Sequence, residues 1–207
     1  INILEIAKEA NIKRTVYASS VAALGMPPKG PWKETLYGAY KLANEHTAFV
    51  YWADWQVPSI GIRPNIVYGL ARDQGMSSKN TVAIQAAVLD KSYKIPYTGK
   101  YSWLYAGEAA LAFITSVSND MVGSNVFNLN GSCETIENGL KLIKELKPNS
   151  SVTCEGQPLP FPPDLDDLPL RKYVGDYTSV SVQKGIEHTL RAFETLKSEG
   201  KCPDVPI

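Results

Sequence analysis

Tyr37 and Lys41 lie four positions apart in the segment Tyr37-Gly38-Ala39-Tyr40-Lys41, and this spacing is the strongest constraint in the sequence. Residues four apart lie on one face of an α-helix, so the spacing predicts a helix that presents a phenol beside an ammonium group. A free phenol has a pKa near ~10, and a nearby ammonium lowers the pKa of a phenol by stabilising the phenolate. Such a pair is suited to moving a proton on or off an alcohol oxygen. The alternative is an ordinary amphipathic surface helix.

Two flanking segments favour the catalytic interpretation. The β-rich run Thr15–Ala18 is followed by Ser19 and Ser20. This order places hydroxyl groups at the carboxyl edge of a predicted sheet, where open α/β proteins bind ligands. Further along the chain, residues 59–63 are predicted to form a buried strand, which stops at the proline and glycine of the segment Pro64–Gly69.

The three segments together resemble the extended short-chain dehydrogenase/reductase family, also called the NAD-dependent epimerase/dehydratase family. The family pattern is an apolar strand ending in Ser-Ser, then Tyr-Gly-x-x-Lys-x-x-x-Glu, then Arg-Pro-x-x-Val-Tyr-Gly. Here the second motif runs from Tyr37 to Glu45 and the third from Arg63 to Gly69. The resemblance covers nearly the whole chain. It implies an α/β fold: the C-terminal part of a Rossmann-like doubly wound parallel sheet plus a small substrate-binding α/β subdomain.

The resemblance also implies a division into domains. We expect residues 1–69 and 103–130 to form part of the dinucleotide-binding domain, and residues 70–102 and 131–207 to form the substrate-binding subdomain. The 15 glycines include no Gly-x-x-Gly-x-x-Gly run, which opens the fold in this family. The chain also starts at Ile1, inside a predicted helix. We therefore expect it to be the C-terminal two-thirds of a longer protein.

By the same resemblance, three residues are expected to be catalytic. Tyr37 is the expected acid/base, and Lys41 is expected to support it and to hold the nicotinamide ribose. Ser20 is expected to hydrogen-bond the substrate oxygen, because the family places this hydroxyl five residues before the glycine that matches Gly25. Tyr40 also precedes Lys41, but it points about 100° away from the lysine's face of the helix.

Further contacts follow from the third motif and the loop after it. Residues expected to bind the cofactor, besides Tyr37 and Lys41, are Pro64, Ile66 and Val67. Residues expected to contact the substrate, besides Ser20, are Asn65, Arg72 and Gln74. For Arg72 and Gln74 a solvated loop is the alternative, and Arg63 is expected to be structural.

One departure from the family pattern bears on the substrate. Members that act on sugar nucleotides usually carry an arginine that grips the nucleotide phosphates, just before Phe-Val-x-Val-x-Asp. In our alignment Tyr101 takes the place of the arginine and Glu108 that of the aspartate. A tyrosine cannot form a charged bidentate contact with phosphate, which argues against a UDP-sugar substrate.

The sequence therefore predicts an enzyme: an NAD(P)-dependent oxidoreductase of the extended short-chain type that transfers hydride at a secondary alcohol or carbonyl of a small polyol, sugar or sugar acid. One alternative is a nucleotide-sugar epimerase or dehydratase, and another is a non-enzymatic dinucleotide-binding sensor. The cofactor is NAD or NADP, since the residue that decides between them is expected upstream of Ile1.

Composition limits the partners. Lysine and arginine total 21 against 21 acidic residues, so no basic excess suggests nucleic-acid binding. No apolar run reaches the ~18 residues of a membrane span. Three scattered cysteines favour a reducing, cytoplasmic location, and His46 and His188 lack partners at metal-ligand spacing. We expect a small-molecule substrate, no metal, and either a homodimer or association with the missing N-terminal half.

Overall fold

The computed structural model describes residues 1–25, 35–120 and 122–205. The chain divides into two compact units, each formed from three separate segments. Unit 1 consists of Ile1–Asn65, Ala109–Asn130 and Leu165–Thr178. Unit 2 consists of Ile66–Glu108, Gly131–Asp164 and Ser179–Ile207.

Helices and strands are numbered in chain order. The helices are α1 (Asn2–Glu9), α2 (Leu36–Trp55), α3 (Lys79–Val88), α4 (Ala106–Ser118), α5 (Ile136–Leu146), α6 (Leu168–Val174) and α7 (Val182–Ser198), with one short 3₁₀ helix, η1 (Val21–Leu24). The strands are β1 (Thr15–Ala18), β2 (Ser59–Pro64), β3 (Val67–Tyr68), β4 (Tyr93–Ile95), β5 (Lys100–Tyr105), β6 (Ser124–Leu129), β7 (Ser132–Thr135) and β8 (Val152–Cys154).

Unit 1 is built on a parallel sheet with the strand order β1-β2-β6. Ile60 and Ile62 of the central strand are fully buried, as expected for a parallel strand covered on both faces. Gly61 lies between them, and a Cβ atom there would come within 2.6 Å of the Tyr17 ring. The glycine therefore leaves room for an aromatic ring from β1 to lie across β2.

Helices α1 and α2 of unit 1 share a small apolar core. Its buried members are Leu4, Ala7, Ala48, Tyr51 and Val57, with Tyr17 packed against them. Helix α2 is followed by its C-cap residue Gln56, which adopts a left-handed conformation (φ 56°) before the chain enters β2. Tyr37 and Tyr40, near the start of α2, are exposed.

Unit 2 holds the larger core, around Tyr68 and Trp103. Strand β5 pairs with β3 in parallel and with β7 in antiparallel orientation, while β4 and β8 form a separate parallel pair. Helices α3, α5 and α7 contribute the fully buried Ile84, Ile143 and Ile186. The resulting α/β fold with parallel strands agrees with the predicted fold class.

The bounds of the two units differ from the predicted domain division in three stretches of the chain. Residues 66–69 and 103–108 belong to unit 2, because β3 pairs with β5. Residues 165–178 belong to unit 1, where Asn119 donates a hydrogen bond to the carbonyl oxygen of Val174 (2.7 Å). Which unit binds dinucleotide and which binds substrate stays a prediction.

Within the described residues, no helix combines the length and the apolar character that crossing a membrane requires.

Candidate active site

Helix α2 presents the predicted acid/base pair. The helix starts where the Thr35 side chain accepts a hydrogen bond from the backbone N–H of Gly38 (3.0 Å), a standard N-cap. Tyr37 and Lys41 lie on one face, with the Lys41 Nζ 5.5 Å from the centre of the Tyr37 ring. Tyr37 is 56% exposed, so its phenol is accessible to a ligand. The predicted spacing therefore does bring the ammonium next to the phenol.

Lys41 also ties α2 to the end of β1. Its Nζ donates a hydrogen bond to the backbone carbonyl of Ala18 (2.6 Å), the last residue of that strand. An ammonium carries three N–H donors, so donors remain for a ligand beside Tyr37.

Ser19 and Ser20 follow Ala18, and they have different surroundings. Ser20 is half-buried and caps η1, where its Oγ accepts a hydrogen bond from the backbone N–H of Ala22 (3.2 Å). Ser19 is buried, and its hydroxyl donates to a carboxylate oxygen of Glu45. Of the two residues, Ser20 is the more exposed, and its contact with the substrate stays a prediction.

Glu45 forms a buried network with Ser19 and Arg63. Glu45 is only 4% exposed, and its two oxygens accept from the Nε (2.8 Å) and Nη2 (2.5 Å) of Arg63. Arg63 near the end of β2 thus has the kind of structural role expected for it. From the sequence, Glu45 is recognised only as a member of the second motif. Its position on the face of Tyr37 and Lys41, eight residues after the tyrosine, is the signal that could have identified it.

A family model matches the part of the chain that contains these elements. The model describes the NAD dependent epimerase/dehydratase family and matches residues 1–129. The chain belongs to this family. Its members are NAD-dependent enzymes, and NAD is therefore the cofactor of this family member.

Solved structures of similar fold agree with the family. A partial consensus L-threonine 3-dehydrogenase has a TM-score of 0.81 at 20% identity, covering 94% of this chain and 69% of its own. The UDP-N-acetylglucosamine 4-epimerase from Bacillus cereus has a TM-score of 0.75 at 21% identity, covering 99% and 70%. An L-threonine dehydrogenase from Cupriavidus necator, in its holo form, has a TM-score of 0.80 at 20% identity, covering 92% and 68%. These similarities establish a Rossmann-like fold, and no curated protein matched in sequence.

The segment after the family's Arg-Pro pair carries the residues predicted to bind the cofactor. Pro64 ends β2, and the buried Asn65 donates its side-chain N–H to the Asn130 side chain (2.7 Å) and its backbone N–H to Leu129 (2.8 Å). Ile66 is buried in unit 2, and Val67 is half-buried in β3. Asn65 is thus held to the segment that follows β6, while a ligand contact for any of these residues stays a prediction.

Arg72 binds within its own loop. Its guanidinium donates to the backbone oxygen of Gln74 and to the Ser77 hydroxyl (3.4 Å). The preceding Ala71 has a positive φ of 66°, a conformation that a residue with a side chain seldom adopts. Gln74 is exposed. The contacts of Arg72 stabilise the conformation of this loop. Substrate binding by Arg72 and Gln74 stays a prediction.

Tyr101, which aligns with the phosphate-binding arginine of other family members, is buried in the core of unit 2. Its hydroxyl donates to the carbonyl oxygen of Ser77 (2.8 Å), and its ring stacks on Tyr97 at 5.9 Å. Burial raises the pKa of Tyr101 well above its ordinary value. Tyr101 therefore stays neutral, and its one donor is already used. Glu108 is also buried, and it accepts a hydrogen bond from the backbone N–H of Val180 (3.1 Å).

Proposed function

We propose that the protein is an NAD-dependent oxidoreductase of the extended short-chain type, acting at a secondary alcohol or carbonyl of a small polyol, sugar or sugar acid. The observation that carries the proposal is the arrangement of α2 against the end of β1. Lys41 lies beside the exposed Tyr37 ring and is hydrogen-bonded to Ala18, two residues before Ser20. One helix and one strand end therefore supply an acid/base, a cation and a hydroxyl.

In this proposal Tyr37 accepts the proton of the substrate hydroxyl in oxidation and returns it in reduction. Ser20 donates a hydrogen bond to the same substrate oxygen as its charge changes. The Ser20 oxygen already accepts from the backbone N–H of Ala22, which leaves its proton available to donate. NAD, when bound, accepts or supplies the hydride.

Lys41 has two tasks in the proposed site. Its ammonium lies beside the Tyr37 ring, where it can stabilise charge that develops during the reaction, and its remaining donors suit the ribose hydroxyls of the cofactor. The exposed phenol and the partly free ammonium on one helical face fit the nicotinamide-ribose end of NAD. We propose Pro64, Ile66 and Val67 as further cofactor contacts, on the family motif alone.

The proposed substrate lacks a nucleotide. Support comes from Tyr101, whose neutral, buried side chain cannot replace an arginine as a phosphate ligand. Because the solved L-threonine dehydrogenases resemble this chain in fold, L-threonine, itself a small secondary alcohol, belongs among the candidate substrates. Asn65, Arg72 and Gln74 are proposed to contribute polar contacts.

A nucleotide-sugar epimerase is the second candidate. It uses the same hydride transfer but returns the hydride to the substrate, and the observation in its favour is the fold similarity to the UDP-N-acetylglucosamine 4-epimerase.

A substrate screen with the complete protein separates the two candidates. NADH formation is followed with L-threonine, a panel of polyols and sugar acids, and UDP-linked sugars, and the sugar products are analysed by NMR. We expect net NADH formation with an unactivated small alcohol and none with UDP-sugars. Epimerised UDP-sugar without net NADH would overturn the proposal in favour of the epimerase.

We further propose that the protein forms a homodimer or associates with a segment that precedes Ile1, in a reducing compartment such as the cytoplasm. Exposed apolar side chains support association: Ile3 and Ile6 line a groove of about 470 Å³ beside β1, and Phe49 is 61% exposed on α2. The three cysteines are free. Sedimentation over a range of concentrations tests the homodimer, and a monomer throughout would contradict the homodimer.

A further inference from the structure

Glu45 is a buried carboxylate to which the proposed chemistry assigns no task. Removing a charge from water is costly unless the charge is paired, and a paired buried ion is often no more stabilising than an apolar residue of similar size. Stability alone is therefore a weak reason for a glutamate here. Both of its oxygens are engaged, by Arg63 and by the Ser19 hydroxyl.

The location of Glu45 links this network to the candidate active site. Tyr37, Lys41 and Glu45 occupy three successive turns of one helical face. The second turn is bound to the carbonyl oxygen of Ala18 and the third to the side chain of Ser19. Ala18 and Ser19, at the end of β1, are thus hydrogen-bonded to two consecutive turns of α2. The next residue is Ser20, so these two contacts set where its hydroxyl lies relative to Tyr37.

The chemistry of the contacts requires a carboxylate. Both the Ser19 hydroxyl and the guanidinium of Arg63 act as donors towards Glu45. A carboxylate accepts from both, whereas the amide of a glutamine would turn an N–H group towards one of these donors. Arg63 also extends the network to β2, whose Ile62 lies opposite Ala18 in the parallel register. The strand end is therefore held from the helix and, through Arg63, from the neighbouring strand.

We infer that Glu45 is a positioning residue: through Ser19 it places Ser20 for the reaction at Tyr37. This inference rests on the proposed function, since it assigns Glu45 a role in that same site. The alternative is an ion pair that only stabilises unit 1.

A double-mutant cycle distinguishes the two roles. Glu45→Gln, Ser20→Ala and the double variant are made in the complete protein and assayed with NAD and the best alcohol from the screen. Glu45→Gln is expected to lower kcat about tenfold or more with KM nearly unchanged, since small misplacements of reacting groups have large effects. In the Ser20→Ala background the same substitution is expected to cost less than about twofold, because interacting residues are not additive. Equal losses in both backgrounds would overturn the inference.

Ser19→Ala provides a second test of the same inference if the Glu45→Gln protein fails to fold. It removes only the hydroxyl contact and leaves the ion pair with Arg63 in place. We expect lower kcat in a protein that still folds, with a somewhat lower melting temperature because a buried hydrogen bond to a charged group is lost. The matched controls Glu9→Gln and Ser118→Ala alter exposed residues of unit 1 and should leave both quantities unchanged. Wild-type kcat in a folded Ser19→Ala protein would overturn the inference.

A measurement without substrate provides an independent test. The backbone N–H of Ala22 donates to Ser20 Oγ, so its amide resonance reports where Ser20 lies. Ser19→Ala should shift that resonance while leaving the amide resonances of the β2–β6 ladder unchanged, and an unmoved Ala22 resonance would count against the inference.

Tyr37→Phe separates the two proposals. If Tyr37→Phe stays active, the proposed function fails. If it is inactive while the Ser19 and Glu45 variants retain full kcat, only the positioning role fails.

Discussion

Gly38 packs directly against the backbone of Ala22. A Cβ atom on Gly38 would overlap the Ala22 carbonyl oxygen and lie 3.3 Å from the Thr35 hydroxyl. A backbone carbonyl cannot rotate aside as a flexible side chain can, so a larger residue would push α2 away from η1. The glycine of the Tyr-Gly-x-x-Lys motif therefore permits the close approach that brings Tyr37 to the strand end carrying Ser20.

Gly38→Ala should consequently impair both stability and turnover. Alanine raises helix propensity by about 1 kcal/mol, but overpacking a close contact costs about 1–3 kcal/mol. We expect a lower melting temperature and a loss of kcat of about tenfold or more. Asn44→Ala, at an exposed position of the same helix, is the control. A Gly38→Ala protein with wild-type melting and kcat would show that the contact is not needed.

Tyr37→Phe should abolish turnover and leave the fold intact. The ring is exposed and its hydroxyl makes no hydrogen bond with the described residues, so its loss should not affect packing. Loss of an acid/base typically costs ~10²–10⁴-fold in rate. Tyr40→Phe, which alters another exposed ring on a different face of α2, should be mild. Activity of Tyr37→Phe within about tenfold of wild type would exclude Tyr37 as the acid/base.

UDP should bind poorly to the complete protein. Tyr101 takes the place of the arginine that binds phosphate in the family pattern. Its hydroxyl already donates a hydrogen bond to the carbonyl oxygen of Ser77. We expect calorimetry to give a Kd weaker than ~1 mM, with NAD as the positive control. Micromolar binding of UDP would contradict the expectation and favour the nucleotide-sugar epimerase as the function.

Tyr17 should make the protein less stable at alkaline pH. Burial, and then the nearby charge of Glu45, raise the pKa of Tyr17 above its ordinary value of 10.0. The folded state therefore holds this proton more tightly than the unfolded state. The resulting stability is fully present below pH 10 and is lost as pH rises above it.

Tyr17→Phe isolates this contribution. The hydroxyl of Tyr17 is buried without a hydrogen-bond partner among the described residues, so its removal should leave stability at neutral pH unchanged or slightly raised. Denaturant unfolding above pH 10 should show a shallower loss of stability for Tyr17→Phe than for wild type, with Tyr40→Phe matching wild type. Identical pH profiles for Tyr17→Phe and wild type would contradict the prediction.

Local patterns in the sequence were sufficient to predict several elements close to their observed bounds. The helix predicted from the spacing of Tyr37 and Lys41 forms as Leu36–Trp55, and the strand predicted for residues 59–63 forms as Ser59–Pro64. These elements depend on near neighbours: an N-cap, a helical spacing, and a run of apolar residues before a proline. Strand β5 was not predicted, because the alternation of polar and aromatic residues covers only Lys100–Trp103, and Tyr101–Leu104 are all buried. It exists through pairing with β3 and β7, which are distant in sequence.

By itself, the sequence determined the fold class, the family, and the helical face shared by Tyr37 and Lys41, since a 3.6-residue period and short motifs are local properties. Only the tertiary structure decided that Ser19 is buried while Ser20 is more accessible, because the difference arises from Glu45, 26 residues away. It likewise decided that Tyr101 lies in a core and that residues 165–178 return to unit 1. Each depends on contacts between distant segments, which form only when the burial of apolar surface brings those segments together.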